Sequence, residues 1–577
     1  MNTLDGVGGV DHLADPGNAR KAPQAVVQLT PQGLAGLDRT EAAHAHDNGC
    51  MSAAPDSIRA TLRHRPFRVL IGGGTVYFVG NAMQAMATAW LMVELTGSSF
   101  LAALVQTAVF LPMFLLALPA GVMADTTDRR QLILVSLVVQ AAVVALLALL
   151  MFIGWAGPTT LLLLTFVAGC CTAMLSPSWN SAIVDVVPRA ELPQAITVIG
   201  IAYNSARALG PAFAGWLFAL AGAGWVFLCT VAGIGVLLQA VRLQPPRPHP
   251  PSRLPAERLW GGMLSAVRFA RHSHTVLAQL VRAMAFSAAG SALWALLPVI
   301  GQRQLGLGAT GFGFLMGCLG TGAVLTGLLI GPLRSRLGLE RLVANGGMVF
   351  ALAMITAALS TWPPLVYVAL VAGGGAWMGV MSTYNTATQT SVPPWVRARA
   401  TAMHTLSALG AFAIGSAFWG ALSDIAGLTP ALLLAAGCMA AGLLLARPFP
   451  LRMSDLDEVT QATLSADLFV AHQPEPEAGP VAVEIGYRVR PEATEAFLEA
   501  VSLMRAPRRR DGATFWRIYR DLGDPSRYVE RFIVTSWAGY LHQRARATLA
   551  DQELEAQLLP HLRSGEAPTM QHYIAER

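Results

Sequence analysis

Twelve apolar runs constrain this chain more than any other feature of its sequence. A membrane-spanning helix needs about 20 consecutive, mostly apolar residues. Runs of that length lie at 69–94, 100–123, 131–153, 159–186, 196–219, 224–242, 276–299, 311–333, 342–361, 364–391, 400–425 and 429–448. Only 13% of the residues are charged, against about 25% in soluble proteins. The pattern predicts an all-α membrane protein with twelve transmembrane helices.

Arginines between the runs predict the orientation of the chain. Alternate connections contain Arg129, Arg130, Arg189, Arg242, Arg247, Arg253, Arg258, Arg268, Arg271, Arg334, Arg336, Arg341, Arg397 and Arg399. The other connections contain only Arg303. Arg282 lies inside a run near its predicted cytoplasmic end, from which it is expected to extend to the interface. The positive-inside rule therefore predicts a multi-pass protein of the bacterial inner membrane with both termini cytoplasmic.

An internal repeat divides the runs into two halves. Residues 208–215 recur at 413–420, a shift of 205, and Trp90 recurs as Trp294, a shift of 204. The shift of 205 makes the fifth run correspond to the eleventh. Repeats of this kind build secondary transporters, whose binding sites lie between the halves.

Composition divides the chain into six segments. The predicted segments are a disordered cytoplasmic segment (1–62), a six-helix bundle (63–242), a cytoplasmic linker with an amphipathic helix (243–272), a second six-helix bundle (273–450), a linker (451–479) and a soluble domain (480–577). Alternating apolar residues in the last segment predict strands at 481–489, 515–520, 528–535 and 570–574. Helical periodicity between them gives a β-α-β-β-α-β order, which predicts a small α+β ferredoxin-like domain.

Several function classes are excluded by what the sequence contains. Lys21 is the only lysine, and its surroundings form no phosphate-binding loop, which excludes ATP-driven transport within this chain. The basic residues are scattered between apolar runs, which argues against nucleic-acid binding. The six cysteines show no metal-ligand spacing. We expect no metal and no cofactor.

The connection between the second and third runs carries a recognisable motif. It reads Gly121-Val-Met-Ala-Asp125-Thr-Thr-Asp128-Arg129-Arg130. This resembles the loop signature of the major facilitator superfamily, and more closely that of the enterobactin-exporter-like or transmembrane secretion effector branch, in which an Asp often replaces the second glycine. Thr126 departs from the family, which usually has Arg or Lys there. The C-terminal segment is similar to antibiotic-biosynthesis-monooxygenase-like domains, which also occur in that branch.

The resemblance implies a role for this loop and for the C-terminal domain. The implied conformational latch closes the two halves on the cytoplasmic side and consists of Gly121, Asp125, Asp128, Arg129 and Arg130. The alternative is that the arginines only set the topology. Related C-terminal domains are often dimeric, so a homodimer through this domain is expected. Its aromatic and histidine side chains suggest a small-molecule pocket lined by Trp516, Tyr519, Tyr528, His542 and His561.

The fifth run contains a charge close to its middle. A charge such as that of Arg207 has an unfavourable free energy in the middle of the bilayer unless it faces a cavity or a partner. Its repeat equivalent is the apolar Phe412. Asn204 shares its helical face. The stretch that follows resembles the helix-5 antiporter motif of exporters and contains Gly210, Pro211 and Gly215. The alternative is close helix packing, with the arginine bonded to backbone carbonyls.

Other polar side chains lie within the runs. The first run has Asn81 and Gln84, the seventh has Trp294 and the eleventh has His404. These residues are candidates for substrate or ion contacts, although interhelical hydrogen bonds or a structural histidine would explain them equally. The acidic residues of the runs lie near span ends, at Glu94, Asp185 and Asp424.

These observations predict a secondary transporter that works by alternating access. The resemblance implies export of an amphipathic small molecule, such as a siderophore or a drug, coupled to H⁺. An importer remains an alternative, as does a membrane-tethered enzyme whose soluble domain modifies the substrate. We expect the transporter itself not to be an enzyme.

Overall fold

The computed structural model describes residues 61–184, 186–188, 191–244, 267–462 and 474–576. The predicted disordered segment, most of the linker between the halves with its amphipathic helix, and part of the second linker lie outside these ranges. Within them the chain is mostly helical.

Eleven long helices account for the apolar runs in the described part of the chain. They are α1 (Arg65–Thr96), α2 (Ser99–Thr126), α3 (Arg129–Phe152), α4 (Pro158–Val184), α5 (Leu192–Ala221), α6 (Ala223–Arg242), α7 (His274–Val299), α8 (Ala309–Leu359), α9 (Pro363–Thr390), α10 (Pro394–Ala426) and α11 (Leu428–Gly442). Ten helices are long and apolar enough to cross a membrane, among the residues that the structure describes. Their ends follow capping chemistry. Ser98 accepts a hydrogen bond at the start of α2, and Gly97 ends α1 in a left-handed conformation.

Helix α8 is a single element of 51 residues with a break inside it. Gly338 has a φ of +72°, a conformation outside the helical range that glycine adopts at little cost. An unbroken helix of this length would extend about 75 Å, more than twice the thickness of the hydrocarbon core. The break at Gly338 lies between the eighth and ninth runs, where the sequence predicts a loop.

The two repeat-related helices α5 and α10 make equivalent packing contacts. In α5, a Cβ at Gly210 would come within 2.8 Å of Ala82 in α1, and one at Gly215 within 2.5 Å of the Ala309 carbonyl in α8. In α10, the equivalent Gly415 packs on α7 and Gly420 packs on α2. Each helix thus lies against one helix of its own half and one of the other half. Glycine at these positions lets the backbones approach closely, which is how helices associate in membranes.

A four-stranded antiparallel sheet follows the membrane helices. Its strands are β1 (Val481–Arg488), β2 (Phe515–Arg520), β3 (Arg527–Val534) and β4 (Thr569–Ile574), in the order β2-β3-β1-β4. The helices between the strands are α13 (Thr494–Leu503), α14 (Arg505–Asp511), α15 (Trp537–Arg546) and α16 (Leu549–Ala556), and a short helix α12 (Leu456–Val459) precedes the sheet. Alternate residues of β1 and β3 are buried against these helices, which creates a core separate from that of the membrane helices.

One expectation about a single charge is wrong. Arg282 does not extend to the interface, because its side chain is 3% exposed and pairs with Glu340 at 2.7 Å. Glu340 also accepts a hydrogen bond from the Leu451 backbone, at 3.0 Å. A buried arginine is stable only with such a partner. The pair connects α7, the part of α8 that follows Gly338, and the segment after α11.

Candidate substrate-binding site

Arg207 and Trp294, two of the residues singled out by sequence, lie together between the halves. The guanidinium carbon of Arg207 in α5 is 5.0 Å from the ring centroid of Trp294 in α7. It is also 6.0 Å from the ring of Tyr203, one turn earlier in α5. A cation over an aromatic face is attracted by the ring quadrupole. Since α5 belongs to the first half and α7 to the second, this contact spans the two halves.

Aromatic rings continue from this pair across the bundle. Trp294 meets Trp377 of α9 at 6.0 Å, and Trp377 meets Phe412 of α10 at 5.8 Å. Phe412 in turn contacts Phe110 of α2 at 4.9 Å. Arg207 and Phe412 are repeat equivalents, so both repeat positions contact one pair of tryptophans. The result is a continuous row of aromatic side chains with the Arg207 guanidinium at one end.

The polar groups of this site are not satisfied by the protein residues that the structure describes. No described carboxylate forms an ion pair with Arg207. The Nε1 of Trp294 is buried and has no hydrogen-bond partner in the same ranges. A buried donor without an acceptor costs about 1–3 kcal/mol. The two donors therefore favour a ligand that brings acceptors or negative charge.

The polar residues of α1 form a hydrogen-bond network inside the first half. The Tyr77 hydroxyl donates to Gln140 Oε1 at 3.0 Å, and Gln140 Nε2 donates to Asn81 Oδ1 at 3.2 Å. Gln140 Nε2 also donates to Thr172 at 3.4 Å. These contacts fit the alternative in which Asn81 joins helices. Gln84 lies one turn further along, is 7% exposed, and its Oε1 has no described partner.

Two other candidates lie apart from this network. Asn204 Nδ2 donates to the Gly200 carbonyl of its own helix at 2.8 Å, a local contact that engages its amide. His404 in α10 is 4% exposed, and its Nδ1 has no partner among the described residues. Nothing described brings His404 into contact with Arg207. In the described ranges, no group of three His, Cys, Asp or Glu side chains could bind a metal ion.

The loop between α2 and α3 is held by Asp128 and Arg130. Asp128 accepts a hydrogen bond from the Arg130 backbone at 2.8 Å and so caps α3. The Arg130 side chain donates to the Arg242 carbonyl at the end of α6, at 2.9 Å. Gly121 is half-buried with open space around it. The side chain of Asp125 lies outside the described part of the structure, so its predicted role stays a prediction, as does that of Arg129.

The opposite end of α2 contacts the second half. Asp424 of α10 accepts hydrogen bonds from the Ser98 hydroxyl at 2.6 Å, the Ser99 N–H at 2.7 Å and the Phe100 N–H at 3.2 Å. Arg303, in the π-helical turn after α7, donates to the Gly97 carbonyl. The connection between α1 and α2 is therefore bound by two charged side chains from the other half.

A buried carboxylate organises the soluble part. Glu530 in β3 is fully buried and accepts hydrogen bonds from Tyr487 at 2.9 Å, Trp516 at 2.9 Å and Arg508 at 3.1 Å. Burial alone would lower the pKa of Arg508, but the charges of Glu530 and Glu555 raise it above its usual range. Burial and the Glu530 charge likewise raise the pKa of Tyr487 well above 10. The network is a structural core of the domain.

The predicted pocket of aromatic and histidine side chains does not form. Trp516 faces the core, whereas Tyr519, three residues later in β2, is on the opposite face of the sheet and is exposed. His542 is exposed on α15. Successive residues of a strand face opposite sides, so these side chains cannot line one pocket.

Arginines of the soluble part also contact the membrane helices. The Arg546 guanidinium lies 4.3 Å from the Trp395 ring at the start of α10, and that of Arg510 lies 5.8 Å from Phe269. Arg268 donates to the Gly512 carbonyl at 3.1 Å. All these membrane-side partners belong to the second half or to the end of the linker before it.

A family of proteins described as transmembrane secretion effectors matches residues 56–577 of this chain. That range covers all the membrane helices and the four-stranded sheet. The chain belongs to this transmembrane secretion effector family. Its predicted membership of the major facilitator transporters is thereby confirmed, and the chain is a multi-pass membrane transporter by family.

Curated relatives of this transmembrane secretion effector are also transporters. The multidrug efflux pump Tap of Mycobacterium tuberculosis is 27% identical over 399 residues, which are 65% of this chain and 92% of Tap. The staphyloferrin A transporter of Staphylococcus aureus is 21% identical over 280 residues, 48% of this chain and 70% of that protein.

Solved transporter structures share the fold of the helical part. The nucleoside transporter NupG (D323A mutant) superimposes with a TM-score of 0.57 at 13% identity, covering 67% of this chain and 99% of NupG. An inward-facing bacterial homologue of the iron transporter ferroportin gives a TM-score of 0.55 at 16% identity, with coverage of 67% and 99%. At these identities the likeness shows the major facilitator fold of the secretion effector and nothing about its substrate.

Proposed function

We propose that this chain exports an amphipathic small molecule bearing negative charge, a siderophore-like compound, by alternating access. The observation that carries the proposal is the Arg207–Trp294 pair between the halves. Arg207 has no described acidic partner, and Trp294 retains a free indole N–H. A cationic drug would be repelled by the guanidinium, whereas a carboxylate or phenolate would accept hydrogen bonds from its planar fork.

The relatives support export of a small molecule. One is named as a multidrug efflux pump and another as a staphyloferrin A transporter. Coupling is assigned to H⁺, with His404 as the candidate side chain, because its Nδ1 is buried in α10 and has no partner among the described residues. The loop with Asp125, Asp128 and Arg130 closes the cytoplasmic side in this account.

The proposed topology has twelve spans with both termini cytoplasmic. Helix α8 crosses twice, with its break at Gly338, and α5 adds a span of 30 residues to those counted by hydropathy. The last 98 residues, 480–577, form a ferredoxin-like cytoplasmic domain, supported by the β2-β3-β1-β4 order. We assign it a regulatory or dimerising role and no catalysis.

The Arg207 series tests the proposal. In inside-out vesicles with matched protein levels, we expect Arg207→Ala to abolish accumulation of metal-free staphyloferrin A, used as a polycarboxylate probe. Arg207→Lys keeps the charge but loses the bidentate fork, so transport should fall by about tenfold, the factor for one lost hydrogen bond to a charged group. The cation ethidium should not accumulate with the unaltered chain.

Arg271→Ala is the matched control, because Arg271 is an exposed arginine of the linker. It should transport at the normal rate. Normal transport by Arg207→Ala at normal expression would show that the arginine only packs against its neighbours and would refute the proposed site.

A further inference from the structure

We propose that Asp424 is the residue that closes the external gate of the transport cycle. The inference rests on the proposed function, because a gate requires a bundle that opens alternately to the two faces. Asp424 lies in the last turn of α10, in the second half, and its three hydrogen-bond donors are Ser98, Ser99 and Phe100 of the first half. A single carboxylate thus spans the two moving bodies.

The start of α2 is a strong site for such a carboxylate. The first N–H groups of a helix have no acceptor within the helix and carry partial positive charge. Ser98 caps only one of them, the Leu101 N–H, at 3.2 Å. The Asp424 carboxylate accepts hydrogen bonds from the N–H groups of Ser99 and Phe100. Hydrogen bonds to an ionised group are stronger than those between neutral groups. The second half therefore completes the cap of a helix in the first half.

Arg303 provides the complementary contact at the end of α1. It donates to the carbonyl of Gly97, where α1 ends and the helix dipole is negative. The α1–α2 connection thus presents a negative helix end and a positive helix end side by side. The second half supplies the opposite charge to each.

Separation of the halves at this face must break these contacts. When the protein opens to the outside, the Ser99 and Phe100 N–H groups and the Asp424 carboxylate become exposed and hydrogen-bond to water. Asp424→Asn removes the charge and one acceptor oxygen while preserving shape, so it weakens only the closed form. The closed state then loses population to the outward-open state.

An accessibility measurement tests this without a transport assay. The reporter is Thr107→Cys in a chain without other cysteines. Thr107 bonds the Ala413 carbonyl across the halves at 2.9 Å, deeper along α2. Labelling with a membrane-impermeant maleimide from outside should become about tenfold faster with Asp424→Asn, the factor for one lost hydrogen bond to a charged group. Ser423→Ala, a change of the preceding buried residue, is the control and should leave the rate unchanged.

A crosslink provides the second test. In the Ser98→Cys and Asp424→Cys double variant, oxidation should form a disulfide that stops transport, and reduction should restore it. Unchanged labelling of Asp424→Asn, or transport by the oxidised double variant, would overturn the gate. Faster labelling in a chain that moves no anionic substrate would support the gate and refute the proposed function.

Discussion

Glu530 illustrates how one buried side chain determines the stability of the soluble part. Its carboxylate is the common acceptor of Tyr487, Trp516 and Arg508. Arg508 keeps the charge of Glu555 after this change, so the loss is that of one charged hydrogen-bond acceptor, about 1.5–3 kcal/mol. We therefore expect Glu530→Gln to lower the free energy of unfolding of fragment 474–577 by about that amount, measured by urea denaturation.

Glu484→Gln in the neighbouring strand is the matched control. Glu484 pairs with Arg531, whose side chain is 47% exposed, and such surface pairs contribute about 0–1 kcal/mol. Equal losses for the two variants would show that the Glu530 network is not the structural core of the domain. A fragment that fails to fold in water would refute its independence from the membrane helices.

At the residue scale, the sequence revealed charges that are conspicuous in apolar runs and missed residues whose partners are distant. Arg207 and Trp294 could be named because each departs from its surroundings. Gln140 could not, because its partner Tyr77 lies 63 residues away and only the assembly of the helical bundle brings them together. Asp424 is unremarkable in sequence because it lies at the end of a run, and its proposed function depends on a contact across more than 300 residues.

At the scale of elements, close packing of α5 on α8 joins the two halves. A Cβ at Gly313 of α8 would come within 2.4 Å of the Pro211 carbonyl and 3.1 Å of Gly215. Overpacking of this kind costs about 1–3 kcal/mol. We expect Gly313→Ala to lower the melting temperature of the purified protein in detergent and to slow transport.

Gly331→Ala is the control in the same helix, since nothing lies within 4 Å of its Cβ position. A melting temperature of Gly313→Ala equal to that of this control would contradict the close approach of α5 and α8. The sequence predicted α5 and its glycines from the repeat. It could not predict that Gly215 meets Gly313, because the facing glycine belongs to a helix outside the motif.

At the scale of the whole molecule, hydropathy predicted the helices and the strand pattern predicted the sheet. The contacts between these parts could not be predicted. Arg546 on Trp395 and Arg268 on Gly512 attach the soluble part to the second half, through side chains that are unremarkable in sequence. In the proposed cycle a domain attached in this way moves with the second half, which supports the regulatory role within our proposal.

The central claim is that this single chain transports an anionic amphipathic molecule through a site between its halves. The direct measurement uses the purified chain in proteoliposomes with an imposed pH gradient and metal-free staphyloferrin A as the probe. The account predicts accumulation that a protonophore abolishes and that Arg207→Ala lacks. Accumulation no greater than in protein-free liposomes, or accumulation of ethidium in place of the anion, would contradict it.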